Sequence, residues 1–179
     1  GSEVKYVGFS ACEESVPAEF PKDILRIECV DACTELGLEA EMVRIFNYQV
    51  RRFSERRQDI LDDMISIRSS FSPQLILCPS LGDVHQDHSV IAQEAVRAFK
   101  KNCLLSYELP WNNFTFNNHF GVRLDQRHID KKINAILKYK SQGHRDYMRE
   151  DYIVGAAKTR GCQLGMSFSE MYEVIRWIM

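Results

Sequence analysis

The stretch QLILCPSLGDVHQDHSVIAQEAVRAFK, Gln74 to Lys100, decides the fold of this 179-residue chain. Its first six residues, Gln74 to Pro79, are apolar on both faces, as a central strand of a parallel sheet is. Ser80 to Asp87 reads as a short loop. His88 to Lys100 reads as a helix with Ile91, Ala95, Ala98 and Phe99 as its core stripe.

Working outward, Val4 to Ala11 is β-branched and aromatic, a buried-strand pattern. Asp23 to Leu36 is helical, with Ile24, Ile27, Val30 (or Cys29), Cys33 and Leu36 on one face and Gly37 as the stop. Ala40 to Phe46 is a second strand, and Arg51 to Ser69 a helix with Ile60, Met64 and Ile67 inward. Beyond the central stretch, Leu104 to Leu109 and Phe120 to Leu124 read as strands. Ile129 to Lys140 and Arg145 to Thr159 read as helices, and Ser169 to Trp177 alternates apolar with polar. Strands and helices alternating at this spacing build βαβ units. The expectation is one α/β domain over residues 1–179, a Rossmann-like three-layer α/β/α arrangement around a mostly parallel sheet.

Composition narrows the class. Lys plus Arg is 23 and Asp plus Glu 25, a net charge of −2, with 45% hydrophobic and 27% charged residues. That profile excludes collagen-like and disordered chains and gives no electrostatic reason to expect nucleic acid. No apolar run reaches the roughly 18 residues of a membrane helix. Gly1 to Lys5 has no signal-peptide layout, so the expected compartment is the cytoplasm and no membrane partner is expected. Cys12, Cys29, Cys33, Cys78, Cys103 and Cys162 include no C-x-x-C pair and are read as reduced thiols.

The chemistry is concentrated in Asp83-Val84-His85-Gln86-Asp87-His88. It sits past the C-terminal end of a strand and at the entry to a helix, where open parallel sheets place ligands. A neutral imidazole is a good zinc ligand, and a carboxylate can orient an imidazole through its other ring nitrogen. The plainer reading is a polar loop in which Asp83 or Asp87 caps the next helix. Two of the chain's five histidines falling in one four-residue window favours a functional site.

H-x-D-H after a strand, followed by S-V-I-A-Q-E-A-V, resembles the LmbE-like deacetylases, also called the PIG-L family. Arg26-x-Glu28 with Ala32 and Leu36-Gly37 resembles that family's R-x-E…A…LG helix. Tyr107-Glu108-x-Pro110, Lys132 with Ala135 and Ser141-Gln142, and FSEMYEVIR (Phe168 to Arg176) resemble its later segments. The resemblance implies a zinc-dependent hydrolase that removes an N-acetyl (N-acyl) group from an N-acetylglucosamine-type amino sugar or its conjugate, with one zinc per chain. It implies His88 as a metal ligand and His85 as the group that stabilises the tetrahedral intermediate or protonates the leaving amine. Asp87 would orient and charge-tune His85. Homo-oligomers, common among relatives, are also implied, and the apolar Trp177-Ile178-Met179 stretch would allow one.

One departure stands out. The family's H-P-D-D motif, which carries two zinc ligands and a water-activating carboxylate, is absent from these residues. The chain begins at what resembles the family's second strand. The resemblance therefore implies ~35–45 upstream residues, one strand-plus-helix unit, holding the remaining ligands. The competing expectation is a metal-free relative that binds a sugar conjugate or acts as a scaffold. A nucleotide-binding enzyme is not favoured, because no G-x-G-x-x-G follows a strand and no G-x-x-x-x-G-K occurs.

Other candidates carry two readings each. Arg26 reaches a sugar hydroxyl or phosphate, or pairs with Glu28 or Glu35. Asp83 contacts substrate or braces His85, or serves a turn or cap. Ser10, Glu13 and Glu14 face a site edge or are solvated loop. Trp111, Phe114 and Phe116 wall a sugar pocket or pack on the sheet. His144 lines the site or starts a surface helix. His119 and His128 show no spacing logic. Cys12 and Cys78 lack the basic neighbours of a reactive thiolate.

Overall fold

A computed structural model describes residues 1–178, and the chain divides into two units, each made of two segments. The first comprises Gly1–Val50 and Arg123–Glu170, the second Arg51–Val122 and Met171–Met179.

In the first unit, β1 (Tyr6–Gly8) pairs in parallel with β2 (Val43–Ile45). The expected strand at Ala40 is instead a 3-10 turn over Ala40–Met42 that leads into β2. Helix α1 (Ile24–Leu36) ends where expected. Gly37 adopts φ 96° and its N–H bonds the carbonyls of Cys33 and Thr34. The buried face of α1 differs from the expected one. Glu28, Cys29, Ala32 and Cys33 are buried, whereas Ile27 and Leu36 are exposed. The reason is the carboxylate of Glu28, which accepts bonds from the Ser141 backbone N–H (2.9 Å) and hydroxyl (2.6 Å). A buried carboxylate without donors is costly, so that pair fixes which side of α1 turns inward.

Helix α4 (Gln126–Ile136) opens with a reciprocal capping box. The Asp125 side chain accepts a backbone bond, and His128 Nδ1 accepts the Asp125 N–H at 2.9 Å. His128 thus has a local structural job. Ile129 and Ile133 pack with Ile153 and Ala157 of α5 (Glu150–Gln163) and with Phe168. Near the end of α5, Gly161 admits a close backbone approach. A Cβ there would lie 2.7 Å from the Met166 carbonyl and 2.8 Å from the Phe168 nitrogen. Gly165, at φ 68°, turns the chain back.

The second unit holds α2 (Arg57–Phe71), β3 (Leu75–Pro79), α3 (Gln86–Ala98) and β4 (Cys103–Tyr107). It also holds parts of β5 (Phe120–Leu124) and β6 (Phe168–Arg176). The sheet order is β3-β4-β6-β5. β3 and β4 run parallel, and β4 and β6 antiparallel with a bulge between Leu104 and Leu105. The mixed α/β class is as expected. Helices α2 and α3 pack together, and Ile60, Met64 and Ile67 are buried as the periodicity predicts.

Two expectations are corrected here. β3 is an end strand of its sheet, with Leu75 47% and Leu77 51% exposed. An apolar run measures what a strand is able to bury, and its place in the sheet decides what it does bury. Helix α3 starts at Gln86, two residues before His88, because His85 itself supplies the cap.

Candidate functional site

Everything distinctive lies where β3 gives way to α3. Ser80, 1% exposed, sets the turn. Its hydroxyl accepts the Gly82 N–H (3.1 Å) and its carbonyl accepts the Asp83 N–H (3.1 Å). Asp83 is thereby aimed back over the loop, with its side chain fully buried. One oxygen accepts the His85 backbone N–H at 2.8 Å. The other lies 2.8 Å from His88 Nδ1.

A carboxylate only accepts, so His88 Nδ1 carries the proton and the neutral ring leaves its lone pair on Nε2. His85 has the opposite arrangement. Its Nδ1 accepts the Asp87 N–H at 3.2 Å, which caps α3 and puts the proton of the neutral ring on Nε2. The two rings stack at 4.4 Å between centroids. Burial, and secondarily the charge of His88, lowers the pKa of His85 below the ordinary histidine value. The loop therefore presents one imidazole as a lone-pair donor and its neighbour as an N–H donor.

Asp87 lies beside His85, and its charge favours protonation of that ring against the larger effect of burial. Its hydrogen bond to that ring comes from its backbone N–H. Its carboxylate, 3% exposed, accepts the Arg51 N–H at 2.6 Å and the Phe53 N–H at 3.4 Å. The carboxylate on an imidazole is Asp83, and the imidazole is that of His88.

A second loop flanks the pair. Asn112 accepts the Val84 N–H through its carbonyl, and its amide lies 3.4 Å from His88 Nδ1. Glu173 of β6 ties this loop to the first. One oxygen accepts from the Ser80 hydroxyl, and the other accepts the Asn117 backbone N–H (2.9 Å) and side-chain amide (3.2 Å). His119 adds to the same seam by accepting the Val174 N–H at 3.3 Å. Glu173→Gln is expected to lower stability by about 1 kcal/mol, because its oxygen stays on Asn117 while its amide nitrogen turns the Ser80 hydroxyl from donor to acceptor, so bonds to a charged carboxylate become weaker neutral ones. Urea unfolding of the two proteins measures this. Overlapping curves would show that the loops hold without the carboxylate.

Arg26 belongs to the first unit and is occupied there. Its guanidinium donates to the Ile45 carbonyl (3.0 Å) and to the Asn47 side-chain oxygen. It pairs with neither Glu28 nor Glu35, since Glu35 meets Lys138 at 3.2 Å. His144, Glu13, Glu14 and Phe114 are exposed, and Trp111 is 41% exposed. Burial raises the Cys78 thiol pKa to about 11, and the six cysteines form no disulfide among the described residues. Met179 of the apolar C-terminal stretch lies outside the described residues, whereas Trp177 and Ile178 are each 49% exposed. No described helix is long and apolar enough to cross a membrane.

Sequence reasoning passed over Ser80, Asn112 and Glu173. Only Ser80 left a local trace, as a hydroxyl residue two positions before a glycine at a strand end.

Zinc in a catalytic site takes three protein ligands. Among the described residues no group of three His, Cys, Asp or Glu side chains is placed to hold a metal. His88 Nε2 is a suitable single ligand, but the donors of these residues alone do not fit zinc.

No curated protein matches the sequence. Solved structures do share the fold. One is the N,N'-diacetylchitobiose deacetylase of Pyrococcus horikoshii with an inhibitor, 18% identical, with TM-score 0.76, covering 97% of this chain and 73% of that one. Another is the zinc-inhibited form of the teicoplanin deacetylase Orf2, 15% identical, with TM-score 0.75 and coverage of 96% and 86%. A third is GalB, the 4-carboxy-2-hydroxymuconate hydratase of Pseudomonas putida KT2440, 18% identical, with TM-score 0.71 and coverage of 97% and 84%. The sequence itself decides the family. Residues 1–99, more than half of the chain and inclusive of the His85–His88 pair, match the model described as PIG-L, GlcNAc-PI de-N-acetylase, and the chain belongs to that family.

Proposed function

We propose that this protein is an N-deacetylase of N-acetylglucosamine-type amino sugars or their conjugates, working at the loop from Asp83 to His88. The observation that carries the reading is the pair of stacked imidazoles with opposite proton placement. Amide hydrolysis develops negative charge on the carbonyl oxygen and needs a proton at the departing amine. His85, held neutral with its proton on Nε2, is a donor suited to that oxyanion or amine. His88, fixed by Asp83, holds a directed lone pair. Asp87 supports both indirectly, by donating its N–H to the His85 ring that caps α3 and by accepting the Arg51 and Phe53 N–H groups through its carboxylate.

Family membership and the deacetylase neighbours support the reaction, while the hydratase shows that this fold also carries other chemistry. Zinc enters the proposal as a question of binding. His88 would contribute one ligand, and two more would have to come from outside the described residues. The substrate is a small molecule, the proposed compartment the cytoplasm and the proposed assembly a homo-oligomer.

Acetate release from N-acetylglucosamine conjugates tests the reaction directly. His85→Ala is expected to retain its zinc and lose on the order of 10²–10³ in kcat, the usual effect of removing one oxyanion donor. His88→Ala is expected to lose both zinc, read by elemental analysis, and turnover. Unchanged zinc content in His88→Ala would remove that ligand assignment. Failure of the unaltered protein to release acetate from any such substrate would remove the deacetylase reading.

A further inference from the structure

The inner nitrogen of His88 has two side chains against it. Asp83 Oδ2 lies 2.8 Å from Nδ1, and the Asn112 amide lies 3.4 Å from the same atom. They come from different loops. The Asp83 N–H bonds the Ser80 carbonyl at 3.1 Å, and the Asn112 N–H bonds the Leu109 carbonyl at 2.8 Å. A bond from the Val84 N–H to the Asn112 carbonyl, at 3.3 Å, joins the two loops directly. Irregular backbone has many conformations to lose, so one such bond is a weak guarantee that both groups meet one ring.

Both loops converge on a single carboxylate. Glu173 shares a face of β6 with the buried Met171 and stands opposite the fully buried Ser106 of β4. An apolar side chain suits that position, and a carboxylate is tolerated there only when its oxygens are satisfied. Oε2 accepts from the Ser80 hydroxyl, the group that turns the first loop. Oε1 accepts the Asn117 backbone N–H at 2.9 Å and side-chain amide at 3.2 Å, which fastens the second. Covalent geometry fixes the separation of the two oxygens, so one side chain sets how far apart the loops stand. Through Ser80 it reaches Asp83, and through Asn117 it reaches the loop of Asn112.

We propose that Glu173 is a positioning residue of the imidazole site, orienting His88 by holding Asp83 and Asn112 against Nδ1. The proposal rests on the deacetylase reading for what the site does, and on the bonds of Glu173 alone for how His88 is held. Loss of a partner behind a functional imidazole costs about 10- to 100-fold in activity, and the cost falls on the chemical step when sugar binding is untouched.

Three substitutions in the full-length protein test it: Glu173→Ala, Ser80→Ala and Glu170→Ala. The ¹⁵N shifts of the His88 ring report how strongly the Nδ1–H tautomer is favoured over the Nε2–H tautomer. In Glu173→Ala that excess is expected to fall roughly tenfold, the equivalent of one ordinary hydrogen bond. Turnover in acetate release is expected to fall about tenfold, with KM within about twofold. Ser80→Ala cuts only the connection to Asp83 and should move both readouts by at least about threefold, which keeps the test open if Glu173→Ala does not fold. Glu173→Gln keeps both connections as neutral bonds and should restore both readouts to within about threefold of normal. Glu170 is the control, a carboxylate on the same strand that meets Lys132 at 2.6 Å. Its removal weakens the anchoring of β6 and should leave the His88 shifts in place. Unmoved shifts in Glu173→Ala or Ser80→Ala would overturn the proposal, as would an equal change in Glu170→Ala. The spectra need no activity, so the two readings separate. Shifts that move in a protein releasing no acetate uphold Glu173 and remove the reaction, whereas acetate release with unmoved shifts does the reverse.

Discussion

An Asp83→Asn protein is expected to fold like the unaltered one and to lose on the order of 10²–10⁴ in turnover of its amino-sugar substrate. The substitution changes one atom and leaves no good arrangement. With the amide oxygen kept on the His85 N–H, the amide nitrogen faces His88 Nδ1 and must donate to it. The ring proton of His88 then moves to Nε2, and the lone pair that the site directs outward is gone. With the amide turned over, His88 keeps its tautomer but the His85 N–H faces another donor. The aspartate accepts both bonds, each at 2.8 Å, and no neutral isostere accepts both. The ¹⁵N chemical shifts of the imidazole nitrogens report the tautomer independently of activity. An unmoved His88 tautomer together with turnover within about threefold of normal would show that Asp83 is only a turn residue.

The second large effect concerns stability. Gly161→Ala should lower the unfolding free energy by about 1–3 kcal/mol or more, although alanine is the better helix former. The new methyl would sit 2.7 Å from the Met166 carbonyl, 2.8 Å from the Phe168 nitrogen and 2.9 Å from the Phe168 Cα. All three atoms are backbone, so no side chain is able to swing aside. Relief would require parting α5 from the chain that leads into β6, beside the Ile129, Ile133 and Phe168 cluster. Gly155 on the same helix is the matched control, because a Cβ there meets nothing within 4 Å. Gly155→Ala should raise stability by up to about 1 kcal/mol. For a chain of this size the two midpoints should move in opposite directions, by about 2–4 °C per kcal/mol in thermal melts. A Gly161→Ala protein as stable as the control would mean that the α5–β6 turn has slack which the close approach does not suggest.

The parts of this fold that could be read from sequence are those decided within one turn or one strand. The 3.6-residue spacing of Ile60, Met64 and Ile67 and the glycine stop at Gly37 depend on neighbours along the chain, and both came out as expected. The cluster from Asp83 to His88 was visible for the same reason. Its wiring was not. Whether Asp83 or Asp87 would meet a ring depends on how Ser80 turns the loop, and Ser80 is held by Glu173. The buried face of α1 likewise depended on Ser141, 113 residues from Glu28. Arg51 was hidden inside an expected helix with a charged outer face. Only the bond from Asp87 shows that residues 51–53 are a strained turn ahead of α2.

The clamp made by Glu173 also sets an order of events during synthesis. Ser80 and Glu173 are 93 residues apart. A ribosome adding about 5–20 residues per second leaves roughly 5–20 s between them. In the later part of that interval the segment from Arg51 to Val122 has been synthesised in full, while residues 123–170, which belong to the other unit, are still being added. The nascent loop thus carries its two histidines with the Ser80 hydroxyl unheld and Asn117 unanchored. β6 is the strand whose arrival fixes the imidazole pair, so competence is acquired late, after most of the chain has left the ribosome.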